Sequence, residues 1–121
     1  ILAYRDKHDC LIREAEQQVL GFDHTEIGAR VARRWKLPKL LIAAIRFHHK
    51  LPNEATALAE LVHLADILCR GLDIGHGGDN LIPILQVNVL TRLGLDWTDL
   101  SAALPEIECL NASASMLLNE N

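Results

Sequence analysis

The chain has 121 residues, of which 50% are hydrophobic and 23% charged, and a formal net charge of −4. That length and apolar content fit one domain with its own core, and the acidic balance excludes a general nucleic-acid binder, which needs Lys and Arg to neutralise phosphates. Cys10, Cys69 and Cys109 form no C-x-x-C pair and read as reduced thiols of a cytoplasmic protein, and no apolar run approaches the roughly 20 residues needed to span a membrane.

Helical signals recur at short intervals, and no stretch alternates with period two between hairpin turns. The sequence therefore predicts an all-α fold, a compact bundle of about six helices forming a single domain over residues 1–121. The first helix is expected over residues 3–20, stopped by Gly21. The second opens with Asp23 as N-cap and Glu26 three residues on, a capping-box pattern, and carries Ile27, Val31 and Trp35 on its apolar face. Gly28 in its middle costs about 1 kcal/mol relative to alanine, which marks a close packing contact. The basic stretch Arg30, Arg33, Arg34, Lys36 and Lys39 reads as a solvated helix edge, with a phosphate-facing role as the alternative. The third helix starts at Pro38 and ends near Lys50, before Pro52, with Leu41, Ala44, Ile45 and His48 on one stripe.

The fourth helix is the most regular, with Leu58, Leu61, Val62, Ala65, Leu68 and Cys69 at three-and-four spacing before Gly71, and is expected at the centre of the bundle. Residues 73–79 are glycine-rich and read as a loop that holds His76 at the surface. Asn80 is expected to cap a fifth helix over residues 81–93, with Pro83 in its first turn and Gly94 after its end. The sixth region opens on Asp96 and Asp99 in capping positions and meets Pro105, expected to break or kink it. Its tail should fray from about Asn119. Numbering begins at Ile1 and the single methionine is Met116, so an upstream segment is expected.

Four residues from three of these helices carry the chemistry. His24 lies one turn before Gly28 and is expected to point inward; His48 and His49 flank the buried face of the third helix; Asp66 stands beside the apolar stripe of the fourth. A buried carboxylate must be protonated, hydrogen-bonded, paired or metal-bound, and neutral imidazoles are natural partners. Two readings follow: a His/carboxylate cluster for a first-row divalent metal, or polar groups stapling the core through their own hydrogen bonds. His63, one turn before Asp66, is a competitor for that carboxylate. His8-Asp9 falls on an expected polar face and is not read as a ligand pair. Ser101, Ser113 and Ser115 lack a nucleophile elbow, and no glycine loop joins a strand to a helix, which sets aside serine triads and P-loop chemistry.

Glu14 is followed by LGFDHTEIGARVARRWKLP, IAAIRFHH and ALAELVHLAD, giving G-x-D-H-x-x-x-G, W-x-L-P, H-H and a terminal aspartate in order. Over residues 14–66 this succession resembles the HDOD domain, a bacterial signalling relative of the metal-dependent HD phosphohydrolases. The resemblance implies an HD-domain-like bundle, with the chain as the C-terminal portion of the domain and its N-terminal part missing. It also places His24, His48, His49 and Asp66 in one pocket. Catalytic relatives add an upstream histidine and a His-Asp pair; His8-Asp9 lies too close to His24 to be that pair and lacks the Gly-Lys that follows it. Lys50-Leu51-Pro52 stand where cyclic di-GMP phosphodiesterases have a glutamate and G-Y-P.

The implied function is therefore a signal-transduction module, regulatory and non-catalytic, with other signalling proteins or domains and a small nucleotide as partners. The alternative is a metal-dependent phosphohydrolase acting on a nucleotide or cyclic dinucleotide. In that case Fe, Mn, Zn or Mg is held by His24, His48, His49 and Asp66, while Arg46 or Lys50 steadies the phosphate. A homodimer formed through surface left bare by the missing segment is a third reading.

Overall fold

The computed structural model describes residues 1–75 and 77–119, the last five of these by backbone alone. His76, expected at a loop surface, and the tail residues 120 and 121 lie outside the described residues. Among the described residues the chain is all-α, as its periodicity predicts, with seven helices and no strand. None of the described helices is long and apolar enough to cross a membrane. The chain divides into two compact units, Ile1–Gln86 and Val87–Asn121.

The first expected helix is two: α1, Leu2–His8, and α2, Ile12–Leu20. Asp9 adopts the left-handed conformation (φ 46°, ψ 55°), which aspartate tolerates better than most residues, and this ends α1. The new helix start is then capped twice, by Glu14 Oε2 accepting from Leu11 N–H at 3.1 Å and by Asp79 Oδ2 accepting from Ile12 N–H at 2.7 Å. His8 stacks on Tyr4, one turn before it in the same helix. Gly21 closes α2 at φ 78°.

Helix α3, His24–Arg34, begins as predicted at Asp23, whose carboxylate accepts from the backbone N–H groups of Thr25 and Glu26. Glu26 does not complete the reciprocal box; its carboxylate faces Gln17 and Arg46. The buried face is also not the apolar one expected. Thr25, Ala29 and Ala32 are buried, whereas Ile27, Val31 and Trp35 are exposed. Small residues win because they let α4, Lys39–Phe47, approach closely: a Cβ on Gly28 would lie 2.8 Å from Ile45 Cγ2. Arg30, Arg33, Arg34, Lys36 and Lys39 are all exposed.

Helix α5, Ala57–Gly71, is capped by the Thr56 hydroxyl. It packs on α4, which packs on α3. Its most buried residues are Ala59, Glu60, His63 and Leu64, one step around from the expected stripe, with Leu61 exposed. The predicted helix over 81–93 is not formed over its first half, where one local and two long-range partners claim the segment's polar groups. Leu81 N–H donates to Asp79 Oδ1, Gln86 N–H to His63 Nε2, and Gln86 Oε1 accepts from Leu51 N–H.

In the second unit, α6 spans Val89–Leu93 and follows Asn88 in a left-handed conformation. Gly94 ends it at φ 71°, with Leu95 N–H closing onto Leu90 O. Asp96 and Asp99 cap α7, Trp97–Asn119, reciprocally: Asp96 Oδ1 accepts from Thr98 and Asp99 N–H, and Asp99 Oδ2 accepts from Asp96 N–H. Pro105 sits inside α7 and does not break it, which leaves the kink as the other of the two expected outcomes. Its one missing donor is tolerated within a long run of good helix formers.

Candidate metal centre

Two consecutive helices deliver three imidazoles to one place. Asp23 fixes the start of α3, so His24 stands in its first turn. Helix α4 stops at Phe47, so His48 at the cap and His49 just beyond turn their rings together instead of diverging around a helix. The His48 and His49 ring centroids lie 4.0 Å apart, His24 and His49 4.9 Å, and His24 and His48 5.7 Å. One ring nitrogen from each histidine lies within 4.8 Å of the others. His24 is on the rim with its side chain 40% exposed, less inward than its spacing suggests, while His49 is 8% exposed.

Hydrogen-bond accounting assigns the tautomers. His24 Nδ1 lies 2.7 Å from Glu16 Oε2, and a carboxylate only accepts, so this nitrogen carries the proton. The same oxygen accepts from His24 N–H at 3.0 Å. His48 Nδ1 donates to the Ile45 carbonyl at 3.0 Å. His49 Nδ1 lies 3.3 Å from Asp66 Oδ2. With all three Nδ1 atoms turned to oxygen acceptors, each Nε2 presents a lone pair, and those of His24 and His49 face each other at 2.9 Å. Two ring nitrogens facing each other at this distance either share a proton or hold a cation between them. Zn–N bonds of about 2.0–2.1 Å in tetrahedral geometry set ligand nitrogens ~3.3 Å apart, close to this separation.

Asp66 sits on the half-buried flank of α5. Burial raises its carboxyl pKa, but His49 and Arg70 outweigh burial and bring it down to about 2. Its Oδ1 meets Arg70 Nε at 3.4 Å; its Oδ2 is buried without a well-formed hydrogen bond, the nearby His49 N–H being poorly aimed. Three nitrogen donors, with the Asp66 carboxylate behind the His49 ring, make a set that fits a borderline divalent cation. Burial and the neighbouring His49 lower the His48 pKa, despite the opposing Ile45 hydrogen bond, which favours the neutral, ligating form. His63 does not compete for Asp66. It is 2% exposed, donates through Nδ1 to the His48 carbonyl and accepts at Nε2 from Gln86 N–H, pinning the backbone under the cluster.

Beside His49 opens a cavity of about 530 Å³, lined among others by Arg13, Thr25, Arg46, Phe47 and Lys50. The two residues expected near a phosphate, Arg46 and Lys50, thus share a wall with His49. Sequence spacing did not single out Glu16, Arg13 or Arg70. Arg70 had a legible signal, four residues after Asp66 on one helix face. Glu16 had a weaker one: the short link through Gly21 turns the end of α2 toward the start of α3.

The HDOD domain model matches residues 1–51. This corrects the expected placement: the HDOD match occupies the N-terminal part of this chain, and the chain is not described as the C-terminal portion of that domain. The chain is similar to an uncharacterized protein of Treponema pallidum, 47% identical over 53 residues, which are 41% of this chain and 10% of the relative. It is also similar to a protein of Thermus thermophilus named Ribonuclease Y, 34% identical over 92 residues, 75% of this chain and 16% of the relative. The chain therefore spans less than a fifth of either relative's length. No solved structure matches it significantly. The histidine cluster and the similarity to a named nuclease together overturn the expectation of a non-catalytic module. That expectation rested on missing upstream ligands, whereas three supported nitrogen donors are already assembled within the chain.

Proposed function

We propose that this chain supplies the metal centre of a metal-dependent phosphohydrolase acting on phosphate esters of nucleotides, cyclic dinucleotides included. The observation that carries the reading is the convergence of three imidazoles, two held by an oxygen acceptor on the far nitrogen and the third with the Asp66 carboxylate beside it. Structural histidines have no need of such an arrangement, whereas ligating histidines are oriented this way by outer partners. The similarity to a protein named Ribonuclease Y supports a phosphodiester as the bond broken. His24, His48 and His49 would hold the cation, with Asp66 as the adjoining carboxylate. A bound divalent cation supplies Lewis acidity toward a phosphoryl oxygen. Glu16 and Asp66 fix the ring orientations, and His63 holds the backbone beneath them.

The test is metal content of protein purified without chelator, followed by hydrolysis of an aryl phosphodiester and a cyclic dinucleotide with added Mn²⁺. Stoichiometric metal and turnover, both lost in His48→Ala and His49→Ala, support the reading. Protein that folds, takes up no Mn²⁺ or Zn²⁺ and hydrolyses neither compound refutes it.

A further inference from the structure

We propose that the cavity beside His49 is a binding site for a nucleotide-sized phosphate ester, in which Arg13 and Lys50 hold the phosphoryl group and Arg46 is a strut of the wall. The choice of phosphate over other anions rests on the phosphohydrolase reading above.

The three cations lining the cavity are not equivalent. Arg46 is fully engaged: it donates to Thr25 Oγ1 at 2.8 Å, pairs with Glu26 Oε1 at 3.4 Å and lies 5.8 Å from the Phe47 ring centroid. Moving it onto a ligand would break contacts that tie α4 to α3. The side chains of Arg13 and Lys50 make no hydrogen bond or ion pair with any described residue. The cavity's two carboxylates are turned to other partners, Asp23 to Thr25, Glu26 N–H and Gln17, and Glu26 to Arg46 and Gln17, so neither is in direct contact with Arg13 or Lys50. A half-buried guanidinium without a counter-ion is poised for an anion from outside.

Position and size agree with this division. Arg13 lines the main cavity with His49 and also borders, with His49 and Arg70, a small void of about 20 Å³ on the other side. It therefore lines, together with His49 of the histidine cluster, both openings, so a phosphoryl group held by Arg13 would lie beside that imidazole. The main cavity, about 530 Å³, falls within the roughly 300–1,000 Å³ typical of small-molecule sites. Phe47, Leu51 and Pro52 give it an apolar wall suited to a base or sugar.

The experiment titrates the full chain, held metal-free with chelator, with inorganic phosphate and separately with a nucleoside 5′-monophosphate, read by calorimetry and amide NMR shifts. Both probes should bind, the nucleotide more tightly. Arg13→Gln and Lys50→Gln should each weaken binding about tenfold, with Arg13→Lys recovering part of the loss. Arg46→Gln should lower the melting temperature while changing nucleotide affinity less than about threefold. Failure of both probes to bind wild-type protein overturns the proposal, as does a folded Arg13→Gln/Lys50→Gln double variant that binds like wild type. If Arg46→Gln alone abolishes binding in folded protein, the division of roles is wrong. Mn²⁺ affinity, measured in parallel, should be unchanged in Arg13→Gln; absence of Mn²⁺ binding in wild type removes the phosphohydrolase reading and leaves the phosphate titration to decide this one.

Discussion

Replacing Asp66 by asparagine keeps the shape of the side chain and removes its charge, leaving Arg70 and His49 without their shared anion. In the native chain burial opposes ionisation, yet His49 and Arg70 together hold the carboxyl at about 2, against 3.8 for a free aspartate. That gap, at ~1.4 kcal/mol per unit and discounted slightly for a side chain 26% exposed, is worth roughly 2 kcal/mol of stability. The sign follows from the depressed pKa: the contribution is fully present above about pH 4 and is lost as pH falls toward about 2. Asp66→Asn should therefore be roughly 2 kcal/mol less stable than wild type near neutral pH, and the difference should shrink in acid. Urea unfolding with chelator present, repeated across that pH range, measures it. Equal stability near neutrality, or a deficit that stays constant into acid, would refute the electrostatic account of this carboxylate.

Glu16→Gln keeps the side chain near His24 but weakens its hold on the imidazole, and should reduce Co²⁺ affinity about 10–100-fold with little effect on unfolding midpoint; visible absorption of the Co²⁺ protein reads this directly. In chelator, the His48 ring resonance should titrate below the ordinary 6.5, and because the unfolded chain protonates first, this group should erode stability as pH falls from about 6.5 to the lowered native value. NMR of the wild type and of His48→Gln identifies the resonance. Gly28→Ala gains helix propensity but drives a methyl into Ile45 Cγ2, and should destabilise by about 1–3 kcal/mol. Ile45→Ala in the same chain should recover part of that loss, a coupling that thermal unfolding of the four-protein cycle will detect.

Local signals were legible where they were also final. Asp23 caps α3 and Asp96 caps α7 because each cap is settled within four residues. Where distant partners decide, the sequence misleads. Residues 81–86 have a helical pattern, yet Leu51 and His63, far off in sequence, take the polar groups of Gln86, and no local window contains those two residues. The apolar side of α3 was read from hydrophobicity, but closeness of approach, set by Gly28 and its small neighbours, chose the other face. For the site, the residue types and the three contributing helices could be read from spacing and family resemblance. The outer partners could not, since Glu16 meets His24 only through the turn at Gly21.

The guanidinium of Arg70 joins Asp66 to Asp79, and the loop at Gly77 lies so flat against it that a Cβ there would come within 2.9 Å of its central carbon. Asp79 in turn fastens the first turn of α2. Anyone transplanting this histidine cluster into another scaffold must consequently move the stretch after α5 along with the helices. Shortening that stretch to make a minimal cassette would release Arg70, and with it the aim of the carboxylate beside His49.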